Sequence, residues 1–268
     1  MTLEDMFSLK GRVALVTGGS RGIGKMIVEG FLAAGIDKVY ISARKIHEIE
    51  ETCAELGDKV IGIQGDISTM NGIDALVEEL SGRETRLDIL VNNAGSAWGA
   101  DYLDFPEAGW DKVMDLNVKS PFFLTQKLHK LLTANSSQAS PSKVINIASV
   151  DGLRINPWET YSYQASKAAL IHLTRRMAAR LVQDHVYVTA IAPGAFPSSM
   201  NKVARDHEEQ SSKGIPNKRV GDKYDMGGSA VYLASRAGDY TIGETMTVDG
   251  GIVNAHLPTH FADPAGGL

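Results

Sequence analysis

Residues 12–16 (Arg-Val-Ala-Leu-Val) form a short apolar, β-branched run, and Thr17-Gly-Gly-Ser-Arg-Gly-Ile-Gly24 follows at once. Residues 25–34 then place Met26, Ile27, Phe31 and Leu32 at helical spacing. Strand, glycine turn and helix in immediate succession leave few folds open, because the chain must reverse within a few residues for helix to pack on strand. Gly18 is expected to permit the turn, Gly22 to open the backbone to a pyrophosphate, and Gly24 to let helix and strand approach. The helix N-terminus would then offer unpaired N–H groups to phosphate. The spacing Gly18-x-x-x-Gly22-x-Gly24 differs from the commoner G-x-G-x-x-G arrangement. A glycine-rich turn that binds nothing is the plainer alternative.

The same alternation continues along the chain. Residues 39–42, 59–64, 87–91, 143–148, 187–191 and 245–248 read as further strands. Residues 45–56, 71–80, 109–132, 161–183 and 225–235 read as helices between them. Most strand segments are continuously apolar, as strands covered on both faces must be. The pattern implies an α/β fold: a Rossmann-type, doubly wound parallel sheet of about seven strands with helices on both faces. Length favours one domain over residues 1–268. Ligands of such sheets sit at the carboxyl ends of the strands. Gly18, Arg44, Asp66, Asn92, Ser149 and Pro193 each end or follow a strand there.

Tyr163 and Lys167 stand four residues apart at the start of the helical segment 161–183. That spacing puts both on one helix face, where phenol and ammonium can serve one site. A nearby cation favours phenolate, so Lys167 is expected to lower the phenol pKa toward the working range. A surface Tyr and Lys on an amphipathic helix would show the same spacing. Tyr161 is a rival acid, but it has no lysine four residues later.

Thr17-Gly-x-x-x-Gly-x-Gly24, Asn92-Asn-Ala-Gly95, Asn117, Ser149, Tyr163-x-x-x-Lys167 and Pro193-Gly194 occur in that order. Over roughly residues 8–252 the chain resembles the short-chain dehydrogenase/reductases. The stretches 92–99, 144–149 and 191–198 look most like the NADPH-dependent 3-oxoacyl reductases of the rhamnolipid-pathway type. The resemblance implies a catalytic set of Asn117, Ser149, Tyr163 and Lys167. Tyr163 would be the general acid, Lys167 would also bond the nicotinamide ribose, and Ser149 would orient the carbonyl. Asn117 would hold a helix irregularity and a water in a proton relay, or would simply be a satisfied buried amide. The resemblance puts Gly18, Ser20, Arg21, Gly22, Ile23, Gly24, Ser42, Asp66, Ile67, Asn93, Ala94, Gly95, Pro193 and Gly194 against the cofactor, with Tyr163 and Lys167. Asp66 would take the adenine amino group, or would cap the helix near Ser68. The segment 92–95 would flank the adenosine ribose, or would tie neighbouring strands together. Ser198 fills a slot where many relatives carry a threonine that bonds the carboxamide; Pro197 and Ser198 depart from that pattern.

Ser42-Ala-Arg44-Lys45 replaces the acidic residue that holds a ribose 2′-hydroxyl in NAD enzymes of this architecture. A guanidinium can clamp a 2′-phosphate with paired hydrogen bonds, so Arg44, with Arg21 in support, predicts NADP(H). Solvated surface arginines are the alternative. Residues 195–219 are polar and aperiodic, and so long a loop is often a lid. Phe196, Met200, Val203 and Ile215 could line a channel beneath it; Trp98 and Trp158 could add apolar wall.

Other classes fit poorly. The net charge is −5 with no basic stripe, which argues against nucleic acid. The histidines have no metal-ligand spacing, and one cysteine, Cys53, permits no internal disulfide. No signal peptide or bilayer-length apolar run is visible, so no membrane association and a cytoplasmic location are expected. The tail 253–268, with His256, Leu257, His260 and Phe261, could reach a neighbouring subunit; relatives are commonly homotetramers. The expected function is reduction of 3-oxoacyl thioesters, carried on acyl carrier protein or CoA. The alternatives are an NADP-dependent alcohol, polyol or ketone dehydrogenase, and a non-catalytic nucleotide-binding regulator.

Overall fold

Strands β1 (Val13–Thr17), β2 (Lys38–Ala43), β3 (Val60–Gln64), β4 (Ile89–Asn92), β5 (Ser142–Ile147), β6 (Val186–Pro193) and β7 (Thr245–Val248) form one parallel sheet. Their order is β3-β2-β1-β4-β5-β6-β7. The structure is a computed structural model that describes residues 1–198 and 201–255, without the side chains of Lys202 and Val203. Met200, the Val203 side chain and the tail residues His256, Leu257, His260 and Phe261 therefore lie outside the described set.

Helices α1 (Leu3–Phe7), α2 (Gly22–Ala33), α3 (Ile46–Leu56), α4 (Met70–Arg83), α5 (Glu107–Met114), α6 (Ser120–Lys127), α7 (His129–Thr133), α8 (Tyr161–Leu181), α9 (Lys202–Asp206), α10 (Glu208–Lys213) and α11 (Lys223–Ala234) connect or flank the strands. β1, β5 and β6 are buried at every position. Successive residues feed opposite faces, as the strand period requires. Val16, Val91 and Ile145 pack with Ile27 and Phe31 of α2 and with Met226 and Leu233 of α11. Leu15, Leu90 and Val144 pack with Leu76 of α4, Leu124 of α6 and Met177 of α8. Phe31 is fully buried, and its replacement by Ala would cost about 3–5 kcal/mol.

The order reverses between β1 and β4, where the crossovers pass to opposite sides of the starting strand. A crevice opens there at the carboxyl ends. The expected architecture is therefore the observed one, with local differences. The helix after the glycine turn starts at Gly22, three residues earlier than its apolar period suggests. The expected continuous helix 109–132 is broken by a π-helical turn, Asp115–Lys119. The aperiodic segment 195–219 contains two short helices, α9 and α10. Among the described residues no helix is long and apolar enough to cross a membrane, and no group of His, Cys, Asp or Glu could hold a metal ion.

Candidate active site

A cavity of about 730 Å³ runs along the carboxyl ends of the strands. One end is lined by Gly18, Arg21, Gly22, Ser42, Arg44 and Asp66, the other by Ser149, Tyr163 and Lys167. Ser20, Ile23, Gly24, Ile67, Asn93, Ala94, Gly95, Pro193, Gly194 and Ser198 line it too. Of the expected catalytic and cofactor-binding residues, Asn117 is the one that does not line it.

The glycine turn is held open by neighbouring backbone. Gly18 has φ +64°, a left-handed conformation that favours glycine. Its N–H donates to the Ser42 carbonyl at 2.7 Å. The Asn93 amide donates to the carbonyls of Thr17 at 2.8 Å and Gly18 at 3.2 Å. Thr17 Oγ1 accepts from the N–H groups of Asn93 and Ala94, both at 3.0 Å. The Asn93 side chain thus braces the turn, while its neighbours Ala94 and Gly95 present backbone to the cavity. A Cβ on Gly24 would lie 2.3 Å from the Gly18 carbonyl oxygen, so only glycine allows this approach. Arg21 is the N-cap of α2, and its side chain makes no capping hydrogen bond. The first N–H groups of that helix are left for an anion, which fits the pyrophosphate of a dinucleotide.

Beyond the turn the charges are paired. Arg21 meets Glu48 at 2.9 Å, and Lys45 meets the same carboxylate oxygen at 2.8 Å. The Lys45 hydrogen bond, and after it the Arg21 charge, hold the Glu48 carboxyl below its ordinary range against partial burial. Arg44 is exposed and lines the cavity. Glu48 also lines it and is absent from the sequence-based set; the Lys45–Glu48 spacing was its one visible signal. Asp66 Oδ1 accepts from the Ser68 N–H at 3.1 Å, so it caps the turn into α4 while facing the cavity.

At the other end, Ser149 follows β5 and accepts from the Asp151 N–H at 3.1 Å. Tyr163 and Lys167 come from the first turns of α8. Lys167 is buried, and its Nζ donates to the Ile147 carbonyl at 2.7 Å. Burial pushes the Tyr163 phenol up to about 12; a hydrogen bond with Ser149 pulls against this, and the Asp151 charge adds to it. Burial brings Lys167 down to about 8. The expected lowering of the phenol by Lys167 is therefore overturned. The ammonium bonds the Ile147 carbonyl, and desolvation of the phenolate outweighs its charge.

Asn117 sits in the π-helical turn and is fully hydrogen-bonded. Its Oδ1 accepts from the Ser96 N–H, and its Nδ2 donates to the Ser96 carbonyl and to Ser166 Oγ, all at 2.9 Å. Ser166 in turn donates to the Tyr163 carbonyl at 2.7 Å. Tyr161 does not line the cavity. Its hydroxyl donates to Glu159 at 2.8 Å, and its ring packs edge-on against Tyr102 and Phe105.

Asp151, Arg154, Asn156, Leu116, Gln210 and Ile252 are also in the lining, and none was singled out from sequence. Trp158, Phe196 and Ile215 line it as expected, but Trp98 does not. Trp98 packs over Gly109 and under the Lys112 ammonium instead. Ser198 Oγ accepts from the Asn201 N–H at 2.9 Å, and the Gly194 N–H donates to the Val248 carbonyl at 3.0 Å.

Comparison with known proteins agrees with this geometry. A family model described as enoyl-(acyl carrier protein) reductase matches residues 18–253. The rhamnolipids biosynthesis 3-oxoacyl-[acyl-carrier-protein] reductase of Pseudomonas aeruginosa is 45% identical over 255 residues, covering 93% of this chain and 99% of the relative. The 2-dehydro-3-deoxy-D-gluconate 5-dehydrogenase of Escherichia coli is 38% identical over 252 residues, covering 91% and 96%. The solved Pseudomonas aeruginosa RhlG/NADP active-site complex superposes with a TM-score of 0.89 at 44% identity, covering 93% and 99%.

Proposed function

The chain belongs to the short-chain dehydrogenase/reductases and is an oxidoreductase; from that premise we propose that it reduces 3-oxoacyl thioesters to 3-hydroxyacyl thioesters with NADPH. One observation carries this reading. A single cavity joins the uncapped N-terminus of α2 to Ser149 and Tyr163. NADP(H) is the cofactor: a neighbour at 44% identity was solved as an NADP complex, and Arg21, Arg44 and Lys45 gather where a 2′-phosphate needs cations. When bound, NADPH supplies hydride to the carbonyl carbon.

The chain's own residues do the rest. The N–H groups of Gly22 to Gly24 bind the pyrophosphate, and Arg44 binds the 2′-phosphate, with Arg21 in support. Ser149 donates to the substrate carbonyl and orients it. Tyr163 passes its proton to the oxygen as negative charge develops there. A phenol pushed up to about 12 keeps its proton at neutral pH, so Tyr163 stands ready to donate. Lys167 would hold the cofactor's ribose, and its charge beside the Tyr163 ring favours the phenolate that remains. Asn117 positions α8 through Ser166.

Residues 195–219 act as the substrate lid; Phe196, Ser198, Gln210 and Ile215 reach the cavity from it. The thioester arrives on acyl carrier protein or CoA, and the working enzyme is a cytoplasmic homotetramer. The name of the relative at 45% identity supports the carrier. A polyol or sugar-acid dehydrogenase is the second reading. It is favoured by Asp151, Arg154, Asn156 and Gln210 at the substrate end and by the relative named 2-dehydro-3-deoxy-D-gluconate 5-dehydrogenase. A non-catalytic regulator would not need the phenol and ammonium together in one cavity.

Initial rates of NADPH oxidation separate the readings, using acetoacetyl-CoA beside 5-ketogluconate, simple ketones and an NADH control. Faster turnover of the thioester with NADPH is expected. Turnover confined to the sugar acid would move the enzyme to the second reading.

A further inference from the structure

The proposed chemistry leaves the Asp151 side chain, which lines the cavity, without a task. Asp151 lies in the 3-10 turn Val150–Gly152, directly after Ser149. Its backbone N–H donates to Ser149 Oγ at 3.1 Å. That bond fixes its backbone beside the hydroxyl that orients the carbonyl. The side chain is half-buried and lines the cavity with Ser149, Tyr163 and Lys167. Its charge reaches the Tyr163 phenol and helps to raise it. Burial raises the Asp151 carboxyl itself, against a hydrogen bond with Asn156 and the charge of Arg154. Arg154 is exposed, where water screens it. The Asp151 carboxylate is therefore the less screened of the two charges at this end of the cavity.

A half-buried carboxylate accepts hydrogen bonds and repels a second anion. We propose that Asp151 is a specificity-determining residue that admits neutral carbonyl substrates bearing a hydrogen-bond donor and rejects those bearing a carboxylate near the reacting carbon. The inference rests on the reductase reading and sharpens it. A 3-oxoacyl thioester is neutral around its keto group, and the amide of its pantetheine arm offers an N–H. A keto sugar acid offers hydroxyl donors but brings a carboxylate. Two of the relatives differ in this respect by name, and Asp151 selects between such substrates in this chain.

The test compares native enzyme, Asp151→Asn and Asp151→Glu with two probes: the neutral N-acetylcysteamine thioester of acetoacetate, and 5-ketogluconate. kcat and KM are measured with NADPH. Dissociation constants are measured by calorimetry in a Tyr163→Phe background with NADPH bound, with and without Asp151→Asn. Asp151→Asn is expected to improve kcat/KM for 5-ketogluconate at least tenfold, mainly through KM, and to tighten its binding similarly. The thioester should lose up to about threefold in kcat/KM. Asp151→Glu should retain the native discrimination. Parallel changes for both probes, or unchanged discrimination in Asp151→Asn, would overturn the assignment. Absence of turnover with either probe in the native enzyme would count against the reductase reading instead, and the calorimetric ratio would still decide Asp151.

Discussion

Lys167 lies over the face of the Tyr163 ring, its Nζ 5.6 Å from the ring centre, while donating at 2.7 Å to the Ile147 carbonyl. The two residues share a helix face, as their spacing requires. The ammonium is nevertheless engaged with β5. A cation over a ring is attracted to its π face, but this does not offset the cost of desolvating a phenolate. Burial raises the phenol, so it holds its proton. In the proposed mechanism Lys167 would also hold the ribose of the cofactor, so cofactor binding and the acid share one lysine.

The buried lysine has a stability signature. Its pKa falls from 10.5 to about 8 on folding. Between those values the unfolded chain binds a proton that the folded chain has released, so stability rises with pH across this window. Below pH 8 the cost of the buried ammonium is fully present, about 3 kcal/mol at ~1.4 kcal/mol per pH unit. Lys167→Met removes that cost and loses one hydrogen bond of about 1 kcal/mol. The cofactor-free variant is expected to melt a few degrees above the native protein at pH 7, at ~2–4 °C per kcal/mol. The difference should shrink as pH rises through 8 to 10.5. Thermal scans along a pH series check this; equal melting temperatures at pH 7 would contradict it.

The cofactor clamp makes a second prediction. Arg44→Asp replaces a charge-assisted bond with a repulsion, and the NADPH/NADH preference should fall by about ten- to a hundredfold. Glu48 has the opposite role, because its carboxylate occupies Arg21 and Lys45. Glu48→Gln should tighten NADPH twofold to fivefold, about 0.5–1 kcal/mol for a partly exposed charge, and leave NADH nearly unchanged. Fluorescence titration of both cofactors reads both variants. An unchanged ratio in Arg44→Asp would remove the clamp.

Asn117 joins three separate pieces of chain, so its loss is a structural as well as a chemical event. Asn117→Ala leaves the Ser96 backbone and the Ser166 hydroxyl without their partner. A loss of about 2 kcal/mol, or ~4–8 °C in melting temperature, is expected together with lower kcat. Calorimetry and steady-state rates on one preparation measure both. A variant as stable as the native protein would show that the π-helical turn does not depend on this amide.

The sheet was legible because its central strands are buried on both faces and read as continuous apolar runs. Gly18, Arg44, Asp66, Asn92, Ser149 and Pro193 could be assigned to one end of it for the same reason. The π-helical turn was not legible. It is held by bonds from Asn117 to Ser96 and Ser166, residues 21 and 49 positions away in the chain. The substrate end was hidden too. Asp151, Arg154 and Asn156 occupy a non-periodic stretch, and only the 3-10 turn after β5 carries Asp151 into the cavity. Trp98 and Tyr161 show the converse, since nearness in sequence to the site did not bring them into it. The i, i+4 rule placed Lys167 near Tyr163 but could not show that its ammonium would choose a backbone carbonyl.

The most direct measurement is Tyr163→Phe, read by NADPH binding and by NADPH oxidation with acetoacetyl-CoA. The substitution removes only the hydroxyl and keeps the ring beneath Lys167. Binding within about threefold of native with turnover down by ~10²–10⁴-fold is predicted, the range a positioned proton donor contributes. Turnover undiminished in this variant would contradict the account, because the proton would then come from elsewhere.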